Sequence, residues 1–334
     1  MGGLLALCAA ATFAINNTLA RRGVLSGSVL QAMAITVPFG VPLMLIPALF
    51  FGAMPALHEF TWTTHLSFAA AGIAHFVFGR YCNYRAVKAI GANLSGPLME
   101  TSVLFALVLA VTLLGEKLTI MKVLGIALIL AGPLLTVEKR GKAKAADGGE
   151  LAFTPHYVEG YIFSLLAALA YGTSPILVRM ALEHASWQAS IAGGLVSYIA
   201  AAVVVIILIP LLGKVKHVTE ISGEAAKWFC WAGFFVGVSQ LLRYVALSFA
   251  PVSVVSPIQR LSLVFRLFFS YMLNRQYEIF DSRMIAGTIV SLLGAVFLSM
   301  SIDNVRAFMD LPAWMDPLFV WTWPSSILAE GMRE

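Results

Sequence analysis

The stretch YRAVKAIGANLSGPLMETSVLF (residues 84–105) returns 160 residues later as YVALSFAPVSVVSPIQRLSLVF (residues 244–265). Tyr84, Ala86, Pro97, Ser102 and Phe105 recur as Tyr244, Ala246, Pro257, Ser262 and Phe265, and Asn93 is answered by Ser253. With a shift of two, Gly125 and Gly132 match Gly287 and Gly294. At an offset of 158, Gly2, Ala10 and Arg21 match Gly160, Ala168 and Arg179. A single match between apolar segments arises by chance, but matches kept in one order along the chain indicate a duplication.

The surroundings of both copies decide the class of protein. The chain has 334 residues, of which 60% are hydrophobic and 12% charged, with a mean hydropathy of +0.87. Soluble proteins carry roughly 25% charged residues. The 22 Lys/Arg and 17 Asp/Glu here cannot cover a water-facing surface of this size. A soluble enzyme, a nucleic-acid binder and a disordered chain are therefore excluded. The net charge of +5 belongs to loops at an anionic membrane face.

A membrane span needs about 20 mostly apolar residues. Ten segments meet that need: 3–20, 29–53, 66–86, 92–114, 119–137, 159–181, 187–212, 226–248, 252–273 and 284–301. The expected fold is an all-α polytopic membrane protein with ten transmembrane helices. Residues 1–137 form a first five-helix repeat, 138–157 a charged linker and 158–301 a second repeat. Residues 302–334 form an acidic tail with Trp314, Trp321 and Trp323, expected to lie at the headgroups. The opening MGGLLALC lacks the positive charge of a signal peptide and is expected to be a retained helix. An odd number of spans per half inverts the second repeat relative to the first. Inverted repeats are the usual plan of secondary transporters, with a central site where the halves meet.

Each half closes with a helix pair whose first copy runs Pro97, then Leu114-Gly115-Glu116-Lys117-Leu118-Thr119, then Gly125 and Gly132. In this the chain resembles the EamA-type drug/metabolite transporter superfamily over residues 1–300. The second copy departs from the pattern, with Leu273-Asn274-Arg275-Gln276 in place of Leu-Gly-Glu. The resemblance implies movement of small metabolites or drugs through a central cavity lined by helices 1, 3, 4, 6, 8 and 9. It implies no particular substrate.

Ionisable groups at membrane depth are costly and mark a site or pathway by default. Glu100 lies three residues after Pro97, and Arg260 three after Pro257. The prolines remove backbone donors and free carbonyls at matched depth. Glu100 shares a helix face with Asn93 and Gly96, and Arg260 shares one with Ser253 and Ser256. Two readings of this pair stand. Either Arg260 takes an anionic substrate group while Glu100 takes a cation or a proton, or the two form a structural ion pair that seals the cavity. Arg80, Asn83 and Tyr84 correspond to Gln240, Arg243 and Tyr244, each trio on one face. Snorkelling of Arg80 and Arg243 to the interface is the competing account. Asn16 and Asn17, aligned with Ser174 and Pro175, complete the candidate substrate-binding set, or else serve as glue between helices. His75 reads as a hydrogen-bonded core histidine. Arg266 lies about 120° around its helix from Arg260 and faces another helix.

Cys8, Cys82 and Cys230 form no metal-binding or disulfide pattern. No P-loop, HExxH or GxSxG sequence is present, so neither a catalytic residue nor a cofactor is expected. Glu220 and Glu224 near His217 are a poor catalytic cluster. The expected function is secondary active transport of a small organic solute by alternating access, coupled to protons or to exchange. A lipid or lipid-linked sugar flippase is the alternative, and a membrane-embedded enzyme the more distant rival. The expected partners are a small-molecule substrate and membrane lipid, with no nucleic acid. A homodimer is compatible with this reading. Connections 1–2, 3–4, 5–6, 7–8 and 9–10 hold 14 Lys/Arg against six on the opposite side. The positive-inside rule then puts the 138–157 linker in the cytoplasm and both termini outside, whereas the family resemblance implies cytoplasmic termini.

Overall fold

The computed structural model describes residues 2–114, 118–136, 153–181, 186–249, 258–299 and 322–323. Nearly all of these residues are helical. The helices are α1 (Gly2–Ser26), α2 (Val29–Thr36), α3 (Gly40–Phe50), α4 (Ala56–Glu59), α5 (Trp62–Gly72), α6 (Arg80–Ile90), α7 (Ala92–Glu100), α8 (Ser102–Leu114), α9 (Ile120–Thr136), α10 (Tyr157–Ala181), α11 (Trp187–Leu211), α12 (Val215–Thr219), α13 (Gly223–Phe249), α14 (Ser262–Leu273) and α15 (Ser282–Ser299). A π-helical stretch, Ile73–Gly79, joins α5 to α6. A two-residue ladder pairs Leu118–Thr119 with Thr322–Trp323. Most of the 138–157 linker, the Gly115–Lys117 turn, Ser253, Ser256, Pro257 and the rest of the 302–334 tail lie outside the described residues.

Among the described residues, five helical segments are long and apolar enough to cross a membrane: Gly2–Ser26, Val29–Phe50, Tyr157–Val178, Trp187–Leu211 and Gly223–Ala246. Ile120–Gly132 and Ser282–Phe297 are shorter apolar helices. The expected span at 66–86 is interrupted by the π-helical stretch, and the one at 92–114 breaks between Glu100 and Ser102. The latter break falls at Thr101, whose amide bonds the carbonyl of Leu98, three residues back, in place of that of Pro97.

The same break recurs in the second half. The amide of Thr101 bonds the carbonyl of Leu98, and that of Phe105 bonds Thr101. One offset of 160 later, Leu261 bonds Ile258 and Phe265 bonds Leu261. Residues matched in sequence thus make matched backbone turns, at the depth of Glu100 and Arg260.

α9 and α15 pack against each other through the repeat glycines. A Cβ on Gly294 would sit 2.8 Å from the carbonyl oxygen of Gly125, and one on Gly132 would sit 2.7 Å from that of Gly287. The order 125 to 132 against 294 to 287 makes the two helices antiparallel. Small residues permit this close approach, which is how helices gain contact where no hydrophobic force drives them together.

The main core joins α1, α2, α3, α6, α11 and α13 through residues such as Leu19, Met33, Met44, Tyr84, Tyr198 and Phe229. At one end of the bundle, Arg21 at the end of α1 reaches the carbonyls of Val87 and Lys88 at the end of α6 and that of Tyr277 between α14 and α15. His156 donates its amide to Ala89. Gln31 donates to the carbonyl of His217 in α12. The connections numbered 1–2, 3–4, 5–6, 7–8 and 9–10 in the sequence therefore meet at one end. Phe51, at the end of α3, and Trp187, at the start of α11, meet edge to face.

Candidate functional site

The break after α7 sets Glu100 against Arg260. The Nη1 of Arg260 donates to Oε2 of Glu100 at 2.9 Å, with the arginine side chain 28% exposed and the glutamate 9%. These are the residues at equivalent positions of the two repeats, and each lies one residue before the break in its helix.

The trio Arg80, Asn83 and Tyr84 divides between two neighbours. Arg80 is buried, donating to the carbonyl of Thr36 at 2.9 Å and to the Tyr198 hydroxyl at 3.2 Å. Its guanidinium also lies over the ring of Phe76. Snorkelling does not describe it. The chain turns at Val37–Phe39 between α2 and α3, and the Thr36 carbonyl takes Arg80 as its partner there, as an orphaned helix-end acceptor must find one. Tyr84 donates to the Thr36 hydroxyl at 3.2 Å. Asn83, by contrast, turns to α1 and donates to Oδ1 of Asn17 at 3.3 Å. Asn17 in turn donates to Phe13 within its own helix.

Asn16 is buried with its Oδ1 unpartnered. It shares a heptad-spaced face with Ala9, whose carbonyl accepts from Ser239, and with Gly23, which packs on Phe229. That places Asn16 on the seam between α1 and α13 rather than beside Asn17. From the second copy, Gln240 is buried and Tyr244 is buried against Gly194. Arg243 is half-buried, an electrostatic neighbour of Tyr244 and Arg260. His75, in the π-helical stretch, is hydrogen-bonded to Ser174 at 2.8 Å and lies against Tyr171, with ring centres 4.5 Å apart. It also neighbours Arg80 and Arg243 electrostatically. The residues expected at the site thus fall into separate contacts: Arg80 and Tyr84 on Thr36, Asn83 on Asn17, His75 on Ser174, and Glu100 on Arg260. His217, Glu220 and Glu224 lie at the exposed surface, where Glu220 pairs with Lys216 and His217 with Ser28.

Two features of the polar interior were not legible in the residue pattern. Glu278, which lies between two spans in sequence, is fully buried. Its carboxylate accepts from the amides of Ala92 at 2.7 Å and Asn93 at 3.0 Å, so it caps the N-terminus of α7 in the manner favoured by the helix dipole. Arg21 stands 3.8 Å from it, under the ring of Phe153. Burial pushes the Glu278 carboxyl above the usual carboxylate range, against the opposing pull of Arg21 and the two amides. Gly91, with φ +86, makes the turn into α7, and any side chain there would strike Glu278. The second feature is the partner of Arg266: the residue pattern turns it toward another helix, and the structure shows that helix to be α7, where it donates to the carbonyl of Ala92 at 3.1 Å.

Five helical segments long and apolar enough to cross a membrane mark the chain as an integral, multi-pass membrane protein. The EamA-like transporter family matches residues 1–137 and 158–300, and the chain belongs to that family. No curated protein matches the sequence. A solved crystal structure, described only as that of a protein, is similar in fold, with a TM-score of 0.60 and 16% identity. The similarity covers 90% of this chain and 97% of that one.

Proposed function

We propose that the protein is a secondary active transporter, not an enzyme, and that it moves a small organic solute by alternating access between two inverted five-helix repeats. In this reading ten spans cross the membrane, and the linker end of the bundle faces the cytoplasm. The observation that carries the proposal is the contact of Glu100 with Arg260. Two residues related by a duplication can touch only near the axis that relates the copies. A charged pair on that axis, at breaks in both helices, is the arrangement expected of a transport site at the midplane. Rocking of one repeat against the other separates or joins the pair, so it serves as both gate and site. Glu100 is the proton carrier, and Arg260 sets its affinity for the proton.

The test is flux into proteoliposomes bearing the purified protein. Glu100→Gln is expected to abolish proton-driven uptake and to spare exchange. Loss of both, with the variant folded and present in the vesicles, overturns the assignment of Glu100 as the proton carrier. Proteoliposomes that exchange no organic solute faster than empty vesicles overturn the transport reading.

A further inference from the structure

The charges buried in this bundle do not balance. Within the ten candidate spans the acidic residues are Glu100 and, at the start of one helix, Glu159, which is paired with Arg85 near the surface. Outside the spans Glu278 is also buried, beside Arg21. Against Glu100 and Glu278 stand Arg21, Arg80, Arg243, Arg260 and Arg266. A guanidinium stays protonated at any physiological pH, and leaving a buried charge without a counter-charge costs several kcal/mol. Arg260 has Glu100. Arg80 has neutral acceptors. Arg243 has the like-charged Arg260 as an electrostatic neighbour. Arg266 is 4% exposed, its Nε has no partner, and it makes no ion pair among the described residues.

α7, whose Ala92 carbonyl and Gly96 meet Arg266, carries a second buried polar group without partners. Asn93 is 2% exposed, and among the described residues neither the nitrogen nor the oxygen of its side-chain amide has a partner. Asn93, Gly96 and Glu100 follow one another at helical spacing on α7. The missing side chain of Gly96 makes the room, since a Cβ there would lie 2.8 Å from Nη1 of Arg266. Buried polar groups find partners in the great majority of structures. Here an amide and the Nε of a guanidinium remain without partners together, with Glu100, Glu278 and Tyr171 as electrostatic neighbours of the guanidinium.

We propose that Arg266 and Asn93 form an anion subsite next to the Glu100–Arg260 pair, and that the solute carries a carboxylate or phosphate group bound there. This deepens the transport reading above and rests on it for the word solute. The anion accepts from the Arg266 guanidinium and the Asn93 amide nitrogen, and offsets part of the excess positive charge of the bundle. A soluble organic anion and the phosphate of a lipid headgroup share this chemistry.

The test uses the full chain in neutral, phosphatidylcholine-based nanodiscs. Thermal stabilisation is titrated with succinate, citrate, glycerol 3-phosphate and inorganic phosphate, and with tetraphenylphosphonium and sucrose as cationic and neutral controls. A separate arm blends phosphatidylglycerol into the discs. Stabilisation by at least one anion is expected, weakened about tenfold or more in Asn93→Ala, the factor for one lost charge-assisted hydrogen bond. It is expected to be absent in Arg266→Gln and partly retained in Arg266→Lys. A response to phosphatidylglycerol alone, sensitive to the same variants, supports the subsite with lipid as its source. If Arg266→Gln does not fold, Asn93→Ala decides between the outcomes. Stabilisation by tetraphenylphosphonium and no anion overturns the proposal, as does anion binding unchanged in both Asn93→Ala and Arg266→Lys. Anion binding that depends on Asn93, combined with no solute flux in proteoliposomes, instead overturns transport and leaves the subsite standing.

Discussion

Gly294→Ala adds one methyl group where α15 crosses α9. The new Cβ would stand 2.7 Å from the backbone nitrogen of Ile129 and 2.8 Å from the carbonyl oxygen of Gly125, whereas ordinary contact begins at 3.4 Å. Both obstacles are main-chain atoms, which have no side-chain rotamer to change. The helices must separate by about 0.6–0.7 Å, a gap that already forfeits a quarter to a half of each local dispersion contact. Overpacking of this kind costs about 1–3 kcal/mol, and the rigidity of the obstacles puts the cost in the upper half of that range. Alanine returns about 1 kcal/mol through its better helix propensity, so the net loss is about 1–2 kcal/mol. Unfolding of the purified protein in detergent, by heat or by titration with SDS, measures it. Gly223→Ala is the control, because no atom lies within 4 Å of the added Cβ. Gly294→Ala as stable as wild type, alongside a silent Gly223→Ala, would refute the claim that the glycine seam sets the α9–α15 distance.

Further measurements address the polar groups. Glu278→Ala leaves Arg21 without its carboxylate and strips two amides at the start of α7 of their acceptor. A loss of about 3–5 kcal/mol is expected, with a smaller loss for Glu278→Gln, and both are read from the same unfolding curves. Because the folded carboxyl lies above its ordinary value, the folded state holds the extra proton between the ordinary and the raised value. The contribution of Glu278 is therefore fully present below the ordinary carboxylate range and is lost as pH rises through the raised value. Glu278→Gln should remove that slope from a plot of Tm against pH, and a slope unchanged in the variant contradicts the assignment. Arg80→Ala should destabilise the protein by about 1.5–3 kcal/mol, the worth of a hydrogen bond to a charged group, through the unpaired Thr36 carbonyl. Wild-type stability in that variant would show that the turn between α2 and α3 satisfies itself.

The membrane class was written in composition, because a chain this poor in charge has no way to cover a soluble surface. The duplication was written in the register of Pro97 with Pro257 and Tyr84 with Tyr244. Depth was legible too, since the position of a residue within an apolar run places Glu100 and Arg260 at one level. What periodicity conveys is the face a residue takes on its own helix. It does not say which helix lies opposite. Arg80, Asn83 and Tyr84 share a face by spacing, yet Asn83 turns to Asn17 while the other two close on Thr36. Glu278 reads as a loop acid between two spans, and only the fold brings the α7 N-terminus and Arg21 to it from more than 180 residues away. By spacing alone Arg266 points away from the site, because Arg260 is the reference. α7 passes on that side, and its Gly96 admits the guanidinium next to Asn93. The contact between Glu100 and Arg260 joins both kinds of information. Their matched positions are read from the sequence, and only the tertiary structure brings the two side chains into contact.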